Sequence, residues 1–174
     1  MEPIEVAGYL LGQRTKGYTA HYVHHDERGR RTGRIVLWDR RTWLLAEDDG
    51  YVMFSGPEGS EIRVGKGRYQ RGPAIPLGLT DNPAAFLRPR HAPIWGRPQH
   101  DWRLAGPVQV EGNTATLRLV HASDPTLEGS VTADLEYCAI LDLQVPGRRT
   151  TLTCIEHTVS AADQRLLQRV DPGR

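Results

Sequence analysis

Short runs of β-branched, aromatic and aliphatic residues recur along this chain, each closed by a turn signal. Residues 18–25 are rich in Tyr, Thr and Val and end in Asp26-Glu27-Arg28-Gly29. Residues 34–38 and 43–47 follow, the second closed by Asp48-Asp49-Gly50, a hairpin signal of the Asp-Gly type. Residues 51–55 and 61–64 flank Gly56-Pro57-Glu58-Gly59. In the second half, residues 102–105 and 108–110 lead into Glu111-Gly112-Asn113, and residues 114–121 set Leu117 and Leu119 against Thr116 and Arg118. Residues 131–145 keep a period of two throughout and read as one long strand with a single buried face. Residues 149–159 return beside it after the turn Val145-Pro146-Gly147-Arg148.

Helical signals are few. Asp81-Asn82-Pro83 offers a cap and an early proline before Ala84-Ala85-Phe86-Leu87. Ser160-Ala161-Ala162-Asp163 resembles a capping box with Asp in the Glu place, opening a turn or two to Gln168. Residues 4–11 form a third candidate, weakened by Gly8 and Gly12. The expected fold is mainly β: a single curved antiparallel sheet, an open half-barrel or a closed barrel, with two or three short helices.

Residues 67–101 break the pattern. They hold Pro73, Pro76, Pro83, Pro89, Pro93 and Pro98, together with Ile75, Leu77, Leu79, Phe86, Leu87, Ile94 and Trp95. A solvated linker has no use for so many apolar groups. This stretch is therefore expected to fold back on the sheet as a lid or plug, within one domain spanning residues 1–174. The strands at 35–38, 43–46 and 51–54 sharpen the point, because they are apolar on both faces: Ile35 and Leu37 against Val36 and Trp38, Tyr51 and Met53 against Val52 and Phe54. Burying one such side chain is worth about 1.5–3 kcal/mol, so both faces require cover. The candidates are the 67–101 segment, the terminal helices, a partner chain or a lipid-like ligand.

Composition narrows the function classes. The 174 residues include 22 Lys plus Arg and 21 Asp plus Glu, a formal charge of +1, which argues against a dedicated nucleic-acid binder. No apolar run reaches the ~18–20 residues of a membrane-spanning helix. The first eleven residues carry neither a basic leader nor a long apolar core, so a cytoplasmic location is expected. Cys138 and Cys154 flank the 145–148 turn. A loop with an odd number of residues places them face to face, whereas a two-residue Pro146-Gly147 turn sets Cys138 opposite Ile155. Reduced thiols are expected in that compartment.

The run Gly33-Arg34-Ile35-Val36-Leu37-Trp38-Asp39-Arg40-Arg41-Thr42-Trp43, followed by Asp49-Gly50-Tyr51-Val52-Met53-Phe54, resembles the N-terminal half of LolA-type lipoprotein carriers. There a Gly-led strand ends in Leu-Trp and a hairpin with Gly and apolar residues follows. Residues 117–159 resemble the closing meander of that family. The resemblance covers about two thirds of the chain. It implies an open half-barrel of about eleven antiparallel strands, with short helices plugging a concave apolar face. Thr42 stands where the family has Pro, and no export signal or lipobox is seen.

Catalytic signatures are absent. There is no G-x-S-x-G, and Gly65-Lys66-Gly67 lacks the flanking residues of a phosphate loop. His21, His24 and His25 form H-x-x-H-H, but a strand separates His24 from the other two and no acidic or thiol partner is tied to them by spacing. They read as surface histidines near a turn, and no metal or cofactor is expected. His100-Asp101 is adjacent in sequence and cannot orient itself as a dyad. Arg28, Arg30, Arg31, Arg34, Arg40 and Arg41 read as one cluster at one end of the first strands, a charged edge or a seat for an anionic partner. The leading expectation is non-catalytic binding of an apolar or amphipathic, lipid-like molecule on the concave face. Tyr22, Leu37, Trp43, Met53, Trp102, Leu117 and Leu119 are the expected walls, with Phe86 and Trp95 on the lid. The alternatives are a motif-poor β-barrel cyclase, with His100, Tyr22 and Trp102 as first residues to test, and a regulatory domain covered by a protein partner.

Overall fold

The computed structural model describes residues 3–12, 17–39, 41–77 and 82–171, without the side chains of residues 3 and 4. Arg40, Leu79 and Asp81 of the sequence reading lie outside the described residues. Eleven strands form one antiparallel sheet. They are β1 (Tyr18–Asp26), β2 (Gly29–Leu37), β3 (Trp43–Glu47), β4 (Val52–Gly56), β5 (Gly59–Arg63), β6 (Gln70–Gly72), β7 (Trp102–Glu111), β8 (Thr114–His121), β9 (Glu128–Asp134), β10 (Ala139–Val145) and β11 (Arg148–Glu156). Helix α1 (Pro3–Gly12) precedes them and α2 (Ala161–Leu167) follows.

The spatial order is β6-β5-β4-β3-β2-β1-β11-β10-β9-β8-β7. Two hairpin meanders, β1 to β6 and β7 to β11, therefore meet at the β1–β11 ladder in the middle, and the sheet stays open because β6 and β7 are its two edges. Ile62 of β5 and Trp102 of β7 lie nine steps apart in that order, which would be about 43 Å in a flat sheet. Both line the same cleft, so the sheet curls strongly round its inner face.

The chain has to travel from the β6 edge to the β7 edge, and this is why the connection is long. It crosses as a strap over the inner face. Asn82 Oδ1 accepts from the Ala84 amide at 2.9 Å and Pro83 follows it, starting a 3-10 segment, Pro83–Leu87; a second, Pro89–His91, comes next. Leu77, Ala84, Phe86, Leu87, Ala92 and Ile94 of the strap join Tyr18, Tyr22, Ile35, Leu37, Trp43, Leu117, Leu119 and Leu152 of the sheet in one core. The outer face of β2 to β4 has its own cover. Val36, Leu44, Val52 and Phe54 pack under Leu167 and Val170, at and just beyond the end of α2. Ser160 caps that helix, and Nη1 and Nη2 of Arg34 meet the buried Asp163 carboxylate at 2.7 and 2.6 Å. The two-sided apolarity of these strands is thus met by the strap and by the C-terminal helix.

Three sequence expectations need correction. Residues 131–145 are two strands, not one: Asp134 Oδ1 accepts from the amides of Glu136 and Tyr137 at 2.8 and 2.9 Å, and this side-chain turn folds β9 back on β10. The arginines do not form one cluster. Arg28, Arg30 and Arg31 stand at the β1–β2 tip, Arg34 faces outward onto α2, and Arg41 lies past the far end of β2. His24 is not a surface histidine, as it is only 2 % exposed. The turn at Pro146-Gly147 has two residues, with Val145 opposite Arg148, so the cysteines do not face each other; Cys138 is buried and Cys154 exposed, both free.

Candidate functional site

The strap does not fill the whole inner face. At the end of the sheet that carries the β1–β2, β3–β4 and β10–β11 tips it leaves an open cleft of about 1240 Å³. Strand pairing builds one wall. Leu45, Met53 and Ile62 are consecutive partners on β3, β4 and β5, so their side chains form an apolar row running across the strands. Tyr51, Val64 and Ile75 flank that row, and Trp102, Leu127 and Val145 stand across the cleft. The Trp102 ring meets His121 edge-on at 5.1 Å. Charged side chains ring the mouth: Arg28, Arg31 and Arg148 with Asp26, Glu27, Glu47, Asp49 and Asp101.

Behind this rim lies a polar row. His24 is paired in register with Thr150 on β11 and Arg31 on β2. Its Nδ1 lies 2.7 Å from Thr150 Oγ1 and its Nε2 3.2 Å from Asp26 Oδ2. In the neutral ring, Nε2–H donates to Asp26 and Nδ1 accepts from the hydroxyl. Burial and then the Arg31 guanidinium push the His24 pKa below its usual value, against the pull of Asp26. Arg31 also bridges Asp26 at 3.2 Å and Glu47 at 3.7 Å. One step deeper, Tyr22 Oη donates to Glu47 Oε1 at 2.8 Å; burial, with the neighbouring carboxylate, holds this phenol protonated.

Of the nine residues singled out in the sequence, Met53 and Trp102 line the cleft. Tyr22, Leu37, Trp43, Phe86, Leu117 and Leu119 are buried in the core with the strap, and half-buried Trp95 packs against it. Two tryptophans hold the strap through their ring nitrogens: Trp43 Nε1 donates to the Ile75 carbonyl and Trp95 Nε1 to that of Pro89, at 3.2 and 2.6 Å. His100 Nδ1 accepts from the Trp95 amide at 3.0 Å, and the Tyr22 hydroxyl donates to Glu47; of these two and Trp102, Trp102 alone lines the cleft. Sequence reasoning missed Leu45, Ile62, His24, Asn82 and Arg148. The first two could have been found by writing β3, β4 and β5 in hairpin register; the others could not, because the β1–β11 pairing and the strap bring them together. Among the described residues, no group of three or more His, Cys, Asp and Glu is placed to hold a metal ion, and no helix is long and apolar enough to cross a membrane.

No family model and no curated protein matches the chain. Solved structures do. An uncharacterized conserved protein from Thermus thermophilus superimposes with a TM-score of 0.58 at 10 % identity, covering 95 % of this chain and 92 % of the other. A LolA superfamily protein, NE2245 from Nitrosomonas europaea, gives 0.41 at 5 % identity over 96 % and 97 %. MucB in the Pseudomonas aeruginosa MucA/MucB complex gives 0.39 at 19 % identity over 92 % of this chain, which spans 58 % of the MucB chain. The Thermus protein shares the fold. The fold of this chain, an open eleven-stranded antiparallel sheet with helical segments on its inner face, is the architecture that the sequence resemblance implied.

Proposed function

We propose that the protein binds an amphipathic, lipid-like molecule without transforming it, and that the ligand lies in the cleft at the open end of the sheet. The observation that carries this reading is the space the strap leaves: about 1240 Å³, walled by the Leu45–Met53–Ile62 row and by Trp102, under a charged rim. That volume is on the scale of small-molecule sites, and an apolar wall under a polar mouth suits a ligand with one end of each kind. The chain itself covers the rest of the inner face, so the occupant is bounded by the cleft. Without that limit a guest could spread over the whole sheet.

The test is extraction. The protein is purified from a bacterial host without detergent, denatured, and partitioned into organic solvent for mass spectrometry, alongside Met53→Arg, which puts a cation into the apolar row. The reading expects a stoichiometric amphipath from the native protein and its loss from the variant. Equal traces from both, or a peptide in place of a lipid, overturn it.

A further inference from the structure

We propose that the molecule held in the cleft is an amphipathic carboxylate, one oxygen of whose head group enters a small recess at the centre of the sheet. This rests on the reading above and adds the chemistry of the head group. The recess measures about 20 Å³ and opens where His24, Asn82, Pro83 and Arg148 serve as walls of both spaces. It has room for one water-sized group, such as a single oxygen. Thr150, Phe86 and Leu143 close it.

Its polar complement is one-sided. Among the described residues no carboxylate lines the recess, although five stand around the outer cleft. Asn82 is 4 % exposed; its Oδ1 is committed to the Ala84 amide, and its Nδ2 has no hydrogen-bond partner among the described residues. A buried amide donor left unmatched is costly, and an acceptor oxygen beside it removes that cost. Both ring nitrogens of His24 are already used, by Thr150 and Asp26, so the imidazole shapes the recess and leaves the acceptor to Asn82. Arg148 contributes positive charge to the same walls, which favours an ionised acceptor over a neutral one. From the recess the cleft continues past the Leu45–Met53–Ile62 row, where an alkyl chain can lie.

Calorimetric titration of the full chain with dodecanoate, dodecanol and dodecylamine at neutral pH tests the assignment. Dodecanoate is expected to bind about tenfold or more tightly than dodecanol, the size of one charge-assisted hydrogen bond. Asn82→Asp keeps the oxygen that caps Ala84 but replaces the donor with a negative charge; it should erase the preference for the acid over the alcohol. Arg148→Gln should reduce the preference in the same direction. Equal binding of acid and alcohol, or tightest binding of the amine, overturns the carboxylate assignment while leaving the cleft as a lipid site. Failure of all three probes to bind overturns the cleft reading itself and this inference with it.

Discussion

Tyr22 donates a 2.8 Å hydrogen bond to Glu47 across Gly33, the residue that stands between them in the sheet and has no side chain to obstruct it. The position tolerates nothing larger. A Cβ on Gly33 would lie 2.3 Å from the Ala46 carbonyl oxygen and 2.9 Å from Glu47 Cα, both backbone atoms of the neighbouring strand. Gly33→Ala should therefore cost about 3 kcal/mol, the upper end of ordinary overpacking. Tyr22→Phe should cost about 1–2 kcal/mol, a charged hydrogen bond lost with its acceptor still held by Arg31. Urea denaturation of both variants measures the difference.

The strap is held as firmly as the strands. Phe86 is 5 % exposed within the inner core, so Phe86→Ala should destabilise by about 3–5 kcal/mol, as a strand residue would. Asn82→Ala, which removes the cap of the 3-10 segment, should cost about 1 kcal/mol. Val110→Ala on the exposed edge strand should stay within about 0.5 kcal/mol of the parent and serves as the control. A thermal melt of the three variants ranks them.

Two ion pairs tie the C-terminal segment to the outer face, Arg34–Asp163 at the start of α2 and Arg169–Glu61 beyond its end. Asp163 is 1 % exposed, meets Nη1 and Nη2 of Arg34, and lies on the first turn of α2. Asp163→Ala leaves that guanidinium without its partner and loosens the helix start, at a cost of about 2–4 kcal/mol. Binding of a dye specific for exposed apolar surface should rise with it, because Val36, Leu44, Val52 and Phe54 lose their cover. Unchanged dye binding would place the attachment of α2 elsewhere.

Stability should climb with pH in the mildly acidic range. Burial, then Arg90, Arg88 and Arg97, hold the His91 pKa down to about 4, and His24 is lowered by burial and Arg31. The unfolded chain takes up these protons near 6.5, so between about 4 and 6.5 the unfolded state binds more protons and is favoured as pH falls. The gain is complete above about 6.5. Calorimetric Tm values at about pH 5 and pH 7 should show the lower one at pH 5, and His91→Gln should narrow the gap.

Local chemistry made much of this fold legible. Turn signals at Asp26-Glu27-Arg28-Gly29 and Asp48-Asp49-Gly50, the cap at Asn82-Pro83 and the box at Ser160 all stand where the sequence pattern put them. Residues 102–105 and 108–110 proved to be one strand, carried through Gly106 by an irregular register against β8. The break between β9 and β10 was hidden because Leu135 and Tyr137 keep the apolar alternation through a turn that Asp134 makes with its side chain. The site was less legible, for a different reason. Large aromatics such as Trp43 and Phe86 look alike whether they wall a cavity or fill one, and only the path of the strap separates the two. The recess joins residues from β1, β11 and the strap, and no local pattern records that meeting.

The first and last strands lie side by side at the middle of the sheet, while its margins, β6 and β7, come from the interior of the sequence. Each hairpin can zip from its own turn, but the central seam joins Tyr22 to Leu152, far apart in the chain. Closing it brings together two residues separated by both meanders and the strap. Such distant pairing is entropically slow. The spine of the molecule is thus its longest-range seam, and a nascent chain leaves one edge of β1 unsatisfied until β11 arrives to cover it.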